Sequence, residues 1–228
     1  MALFTLLQVQ VEGATAPVAT EVKLSLWSMA LKGGWLMVPL LILWVVGLYI
    51  FFERFLQIRK ASRVDKNFMN QIKEFIMEGK IEAARNACIA VNTPVANMIL
   101  KGIERIGRPM QDLTTAVENV GNIEVAKLEK GLPMLATIAG GAPMVGFLGT
   151  VIGMIQAFYD MSMAGNNIDV GLLSNGIYTA MVTTVAGLIV GIMAYFAYNY
   201  LVARVARVVF SMEAHTMEFM DLLNEPLA

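Results

Sequence analysis

Cysteine is almost missing from the 228 residues. Cys88 stands alone, and one thiol cannot build an intrachain disulfide framework. It falls on an apolar stripe with Ile81 and Ala84, so it reads as a buried thiol and not a nucleophile. Histidine is equally scarce. His215, close to Glu213 and Glu218, reads as a surface residue, and no spacing in the chain predicts a zinc site. No GK[ST] follows Gly140-Gly141, so there is no phosphate-binding loop. No Ser/His/Asp pattern announces a triad. Charge is thin as well: 15% of the residues carry it, where a soluble domain has about 25%. The net charge of -1 gives no electrostatic support to nucleic-acid binding. An enzyme, a metal and a cofactor are therefore not expected.

What the chain has is apolar length: 57% of it is hydrophobic. The missing charge is concentrated in three runs, at 33–52, 131–159 and 170–203. An α-helix crossing a ~30 Å hydrocarbon core needs about 20 residues, so each run is long enough. Three transmembrane helices are predicted, at 33–52, 131–159 and 172–203. In the first, Trp35 stands at one end and Tyr49, Phe51 and Phe52 at the other, as in interfacial aromatic belts. Residues 1–19 of the N-terminal segment 1–32 lack the basic start of a signal peptide and are expected to be retained. Leu24, Trp27 and Leu31 recur there at helical spacing. An interfacial amphipathic helix and an ordinary flanking segment fit equally well.

Residues 53–130 hold 13 of the 17 Lys and Arg residues and read as a helical region outside the membrane. Phe68, Ile72, Phe75 and Ile76 make one stripe, and Ile81, Ala84 and Cys88 a second, separated by Gly79. Asn92-Thr93-Pro94 ends the second pattern. A helix from Pro94 is expected to end near Gly107. Pro109 opens another, along Leu113, Val117 and Val120, with room to continue into the second span. Residues 160–171 form a short loop, and 204–228 an acidic amphipathic tail. Glu53, Arg54, Arg204 and Arg207 sit at membrane edges. Basic residues follow spans one and three, and the 160–171 loop has none. The positive-inside rule then puts 53–130 and the C-terminus in the cytoplasm and the N-terminus outside; Lys23 and Lys32 dissent.

Within the spans the small and polar residues are patterned. Gly146, Gly149 and Gly153 share a face of the second span; Thr183, Gly187 and Gly191 recur every four residues in the third. Such faces let helices approach closely. Pro133 and Pro143 permit kinks that neighbouring helices stabilise. Thr150 and Thr184 can return their hydroxyls to their own backbone, or hold water or a partner's acid. No Asp or Glu lies within the three spans, so a proton route through them needs a carboxylate from another chain. A scaffold that assembles membrane proteins through its small-residue faces is the alternative reading. A solute transporter is disfavoured, because three spans show no paired repeat.

The segment Leu135-Ala-Thr-Ile-Ala-Gly-Gly-Ala-Pro143, continuing through Gly146, Gly149-Thr150, Gly153 and Ala157-Phe158, resembles the second-helix signature of the ExbB/TolQ branch of the MotA/TolQ/ExbB proton channel family. Gly176-Ile-Tyr-Thr-Ala180-Met-Val-Thr-Thr184-Val-Ala-Gly187 resembles its third-helix pattern, and Glu53-Arg54 fits as well. The resemblance implies an all-α membrane protein forming a homo-pentamer in the inner membrane of a diderm bacterium, with the second and third helices lining a pore. It implies a single-span partner like ExbD or TolR in that pore, supplying an aspartate. It also implies a TonB-like or TolA-like transducer, with lipids around the assembly and no nucleic acid. Thr150 and Thr184 match the family's pore-facing threonines. Thr179 stands where many ExbB and TolQ proteins have a glutamate, which the MotA branch lacks as well.

Overall fold

The computed structural model describes residues 33–62, 67–163 and 170–224, and all regular structure among them is helical. The amphipathic stretch of segment 1–32, with Lys23 and Lys32, lies outside the described residues. So do 164–169 of the connecting loop and 225–228 of the tail.

Helix α1 is Met37–Ala61. It starts after Gly34, whose φ of +70° suits only a residue without a Cβ at low cost. It passes Phe52 without interruption, because Glu53 and Arg54 change the preferred solvent and not the helix propensity. The helix thus begins inside the uncharged run 33–52 and ends well beyond it.

Three short helices follow: α2 (Phe68–Met77), α3 (Ile81–Val91) and α4 (Pro94–Ile103). Gly79 at φ +72° separates the first two. Asn92 closes α3 in the left-handed conformation (φ 46°) while its N–H donates to the Cys88 carbonyl at 3.1 Å. Thr93 then caps α4, its hydroxyl accepting the Ala96 N–H at 3.4 Å, and Pro94 fills the first helical position. Helix α4 ends at Ile103, and turns carry the chain past Gly107 to Pro109.

Helix α5 (Met110–Glu129) does not run on into the second span as the sequence allowed. Gly131, at φ +84°, breaks the chain before α6 (Leu132–Met163). Helix α6 passes through Pro143 and does not stop at Tyr159, so Asp160 is a helical residue, where the sequence reading began a loop. Nothing between Asp160 and Met163 interrupts the helix, since the first glycine comes at 165. Helix α7 (Val170–Asn224) is one helix of 55 residues, roughly 80 Å long.

α1, α6 and α7 are each long and apolar enough to cross a membrane. Large apolar side chains on all three point outward, among them Phe52, Phe147, Ile155 and Phe196. Water would not tolerate this much exposed apolar surface, but lipid does. The chain is a multi-pass membrane protein. The far part of α7 leaves the apolar zone and completes the core of the small helical region, continuous with that between the spans. There Leu201, Val205, Met212 and Phe219 pack with Ile58, Ile72, Ile99 and Val117 from the other helices. Phe219 packs its ring against Gly102 of α4, where any Cβ would collide with it. Helix α7 therefore connects the membrane layer rigidly to the small helical region.

Candidate functional site

Helices α6 and α7 run antiparallel, and glycines set their separation. A methyl on Gly153 would lie 2.7 Å from the Ala180 Cβ. One on Gly146 would lie 2.9 Å from the Thr183 carbonyl oxygen, and one on Gly187 2.6 Å from that of Ala142. Gly149 is closed off by the Thr183 side chain. Gly191 receives the Pro143 ring, with the Ala139 carbonyl 3.0 Å from where a Cβ would be. Proline leaves that carbonyl without its usual helical donor. The partner helix for this small-residue face is therefore the chain's own α7.

The hydroxyls divide between two readings. Thr150 donates to the Phe147 carbonyl of its own helix at 2.6 Å. Thr184 reaches across to the Gly146 carbonyl at 2.9 Å. Thr183, only 2% exposed, donates to Ala180 of its own helix at 2.7 Å and lies 3.4 Å from the same Gly146 oxygen. Two α7 hydroxyls thus converge on one α6 carbonyl where the backbones are closest. Each oxygen keeps lone pairs that can accept from water or a protonated acid. Thr150 and Thr184 are half-buried.

Thr179 makes none of these hydrogen bonds. It lines a cleft of about 280 Å³ nearer the 164–169 end, together with Gln156, Asp160, Asn175 and Trp35, and meets the cluster only through Thr183, which lines the same cleft. Sequence reasoning missed this grouping, because it assigned Asp160 to a loop. The helical spacing of Gln156 and Asp160 was the available signal. The same reasoning placed Thr183 on the packing face with Gly187 and Gly191 but not beside Thr184 at one carbonyl: adjacent residues on a helix differ by about 100°, and only the position of α6 shows that both 183 and 184 face Gly146.

At the opposite end, Arg54 is 7% exposed. Its guanidinium pairs with Glu53 at 2.8 Å, donates to Gln57 at 2.9 Å and lies 3.4 Å from the Lys127 carbonyl. It fastens α1 to the α5–α6 break beside Gly131. Arg204 and Arg207 are exposed on α7. Cys88 is fully buried, and burial pushes its thiol up to about 12. His215 is half-buried, with Nδ1 2.7 Å from the Ser211 carbonyl. Among the described residues no group of His, Cys, Asp and Glu could hold a metal ion.

The profile of the MotA/TolQ/ExbB proton channel family matches residues 90–214, more than half of the chain. The chain belongs to that family. It is 31% identical to a biopolymer transport protein ExbB homolog of Methanothermobacter thermautotrophicus, over 70% of this chain and 58% of that protein. It is 37% identical to the biopolymer transport protein ExbB of Aquifex aeolicus, over 50% of this chain and 75% of that one. With the Tol-Pal system protein TolQ of Haemophilus influenzae it shares 35% identity over 50% of this chain and 46% of the relative. MotA/TolQ/ExbB proteins are non-catalytic, in keeping with the absence of any enzyme motif from the sequence. The family match covers Pro143, the five glycines, Thr150, Thr179, Thr183, Thr184 and both Arg204 and Arg207; Glu53 and Arg54 lie before it.

Proposed function

We propose that this protein is the channel subunit of a proton-driven motor in a bacterial inner membrane. Five copies assemble so that α6 and α7 line a central pore. The pore holds a single-span partner resembling ExbD or TolR, and the motion is delivered to a TonB-like or TolA-like transducer. The N-terminus lies outside and the C-terminus in the cytoplasm. One observation carries the reading: α6 and α7 place Thr150 and Thr184 in stretches, 132–159 and 170–203, that contain no acidic or basic side chain. A route lined by hydroxyls can solvate a proton carrier but cannot take up the proton itself. A carboxylate alone in hydrocarbon stays neutral, because ionisation without solvation is costly. When the partner's aspartate reaches the hydroxyls, their oxygens accept from its protonated form. Water held there stabilises the charged form after the proton leaves.

Thr150→Val and Thr184→Val keep the shape and remove the hydroxyl. Each is expected to lower proton-coupled work several-fold with oligomer and partner binding intact, while the Thr→Ser variants retain much of it. A lost hydrogen bond between neutral groups corresponds to about 0.5–1.5 kcal/mol, or roughly two- to twelvefold. Activity driven by a pH gradient and partner co-purification are measured in the same membranes. Normal activity in both valine variants would sink the proposal.

A second reading, a non-conducting scaffold, is favoured by the bonding of Thr150 and Thr184 to backbone carbonyls. It gains if the valine variants lose assembly together with activity.

A further inference from the structure

Two cavities meet between α1 and α7. The first is an apolar groove of about 520 Å³, walled by Leu43, Leu48 and Phe51 of α1, Ile138 of α6, and Met193 and Tyr200 of α7. The second, about 380 Å³, lies at the membrane edge and is lined by Arg59, Arg204 and Arg207 with Ser62, Ile58 and Leu201. Phe55 belongs to both. The Tyr200 hydroxyl, at the end of the apolar groove, lies 2.9 Å and 3.1 Å from two guanidinium nitrogens of Arg204. The Arg204 guanidinium also sits 5.3 Å from the centre of that ring, which holds the cation at the junction. Among the described residues, none of the three arginines forms an ion pair. The nearby Arg54–Glu53 pair shows that a carboxylate could have been provided.

From Leu43 to Phe55 the groove rises about 18 Å along α1, close to one leaflet of a ~30 Å core. A slot one leaflet deep that ends in three guanidinium groups, without an ion pair among the described residues, complements the shape and charge of an anionic phospholipid. Guanidinium groups bind phosphate oxygens in pairs, and basic pockets between membrane helices take anionic headgroups.

We propose that this slot is a binding site for an anionic phospholipid, with the phosphate on Arg59, Arg204 and Arg207 and an acyl chain against Phe51, Ile138 and Met193. The proposal needs the membrane setting but not the proton route, so the two fail separately. The lipid would wedge α1 against α7 and tie the pore helices to the cytoplasmic leaflet.

The test places a photo-crosslinking amino acid at Met193 of the full chain, in vesicles of equal phosphatidylglycerol and phosphatidylcholine. Mass spectrometry of the adducts is expected to show phosphatidylglycerol favoured by about tenfold or more. The triple variant Arg59→Gln, Arg204→Gln, Arg207→Gln is expected to lose the preference, and the triple Lys variant to keep part of it. Native mass measurement and the helical spectrum establish that each variant is folded. Equal labelling of both lipids would overturn the proposal, as would an undiminished preference in the folded Gln variant. A protein–protein adduct at Met193 would assign the groove to a second copy. Displacement of the lipid by inorganic phosphate would reduce the site to a phosphate pocket without an acyl slot.

Discussion

Gly187→Ala adds one methyl group where the structure has no room. The new carbon would lie 2.6 Å from the Ala142 carbonyl oxygen, 2.9 Å from the Gly146 Cα and 3.1 Å from the Gly146 nitrogen. All three are backbone atoms, so no side chain can rotate away. The helices must part, and the Thr184–Gly146 hydrogen bond at 2.9 Å stretches with them. Overpacking of this kind costs about 1–3 kcal/mol, and the hydrogen bond adds about 0.5–1.5. For a chain of this size each kcal/mol moves the unfolding midpoint by about 2–4 °C, so a fall of about 3–18 °C is expected. The control is Gly140→Ala on the same helix, where nothing lies within 4 Å of the added Cβ. Alanine is the better helix former by about 0.5–1 kcal/mol, so this variant should hold its midpoint or gain slightly. Thermal unfolding of both proteins in one detergent, followed by loss of the folded-protein peak, separates the cases. Equal midpoints would refute the argument that backbone contact at Gly187 sets the helix spacing.

Other consequences are quick to measure. Cys88, with its thiol pushed up to about 12, has a thiolate fraction near 10⁻⁴ at pH 8. Maleimide should leave it unlabelled in the folded protein at pH 8 and label it fully in denaturant. Raising the pH increases the reactive form, so a folded protein labelled readily at pH 8 would contradict the burial. Arg54→Met removes the groups that bind Glu53, Gln57 and the Lys127 carbonyl, and is expected to cost about 1.5–3 kcal/mol. Arg54→Lys should rescue only part of the lost midpoint, because an ammonium lacks the guanidinium fork. Full rescue by lysine would mean that charge alone matters there.

Much of this fold is written locally. Three uncharged runs are long enough to span, and hydrocarbon leaves a single chain of this kind little choice but helix. Asn92-Thr93-Pro94 could be read as a boundary because each residue acts on its own backbone: a left-handed close, a hydroxyl cap and a missing N–H. The stripe of Ile81, Ala84 and Cys88 marked a buried face for the same reason of period. Boundaries were less legible. Glu53 tells where lipid ends and not where α1 ends, and Tyr159 likewise does not stop α6. Gly131 separates α5 from α6 through a positive φ, which the sequence permits at every glycine and requires at none.

The small residues and threonines were visible in the sequence as candidates, but their roles depend on a second helix. By itself the chain specifies helices, their apolar character and the family signature around Pro143, Thr150 and Thr184. Only the tertiary structure decides that Gly191 receives Pro143, that Thr183 and Thr184 meet at Gly146, and that Asp160 shares a cleft with Thr179. It alone brings Arg59 of α1 beside Arg204 and Arg207 of α7. The reason is physical. Helix formation is settled by bonds four residues apart, whereas these pairings depend on the register and rotation of two helices, which the packing of backbones and side chains fixes.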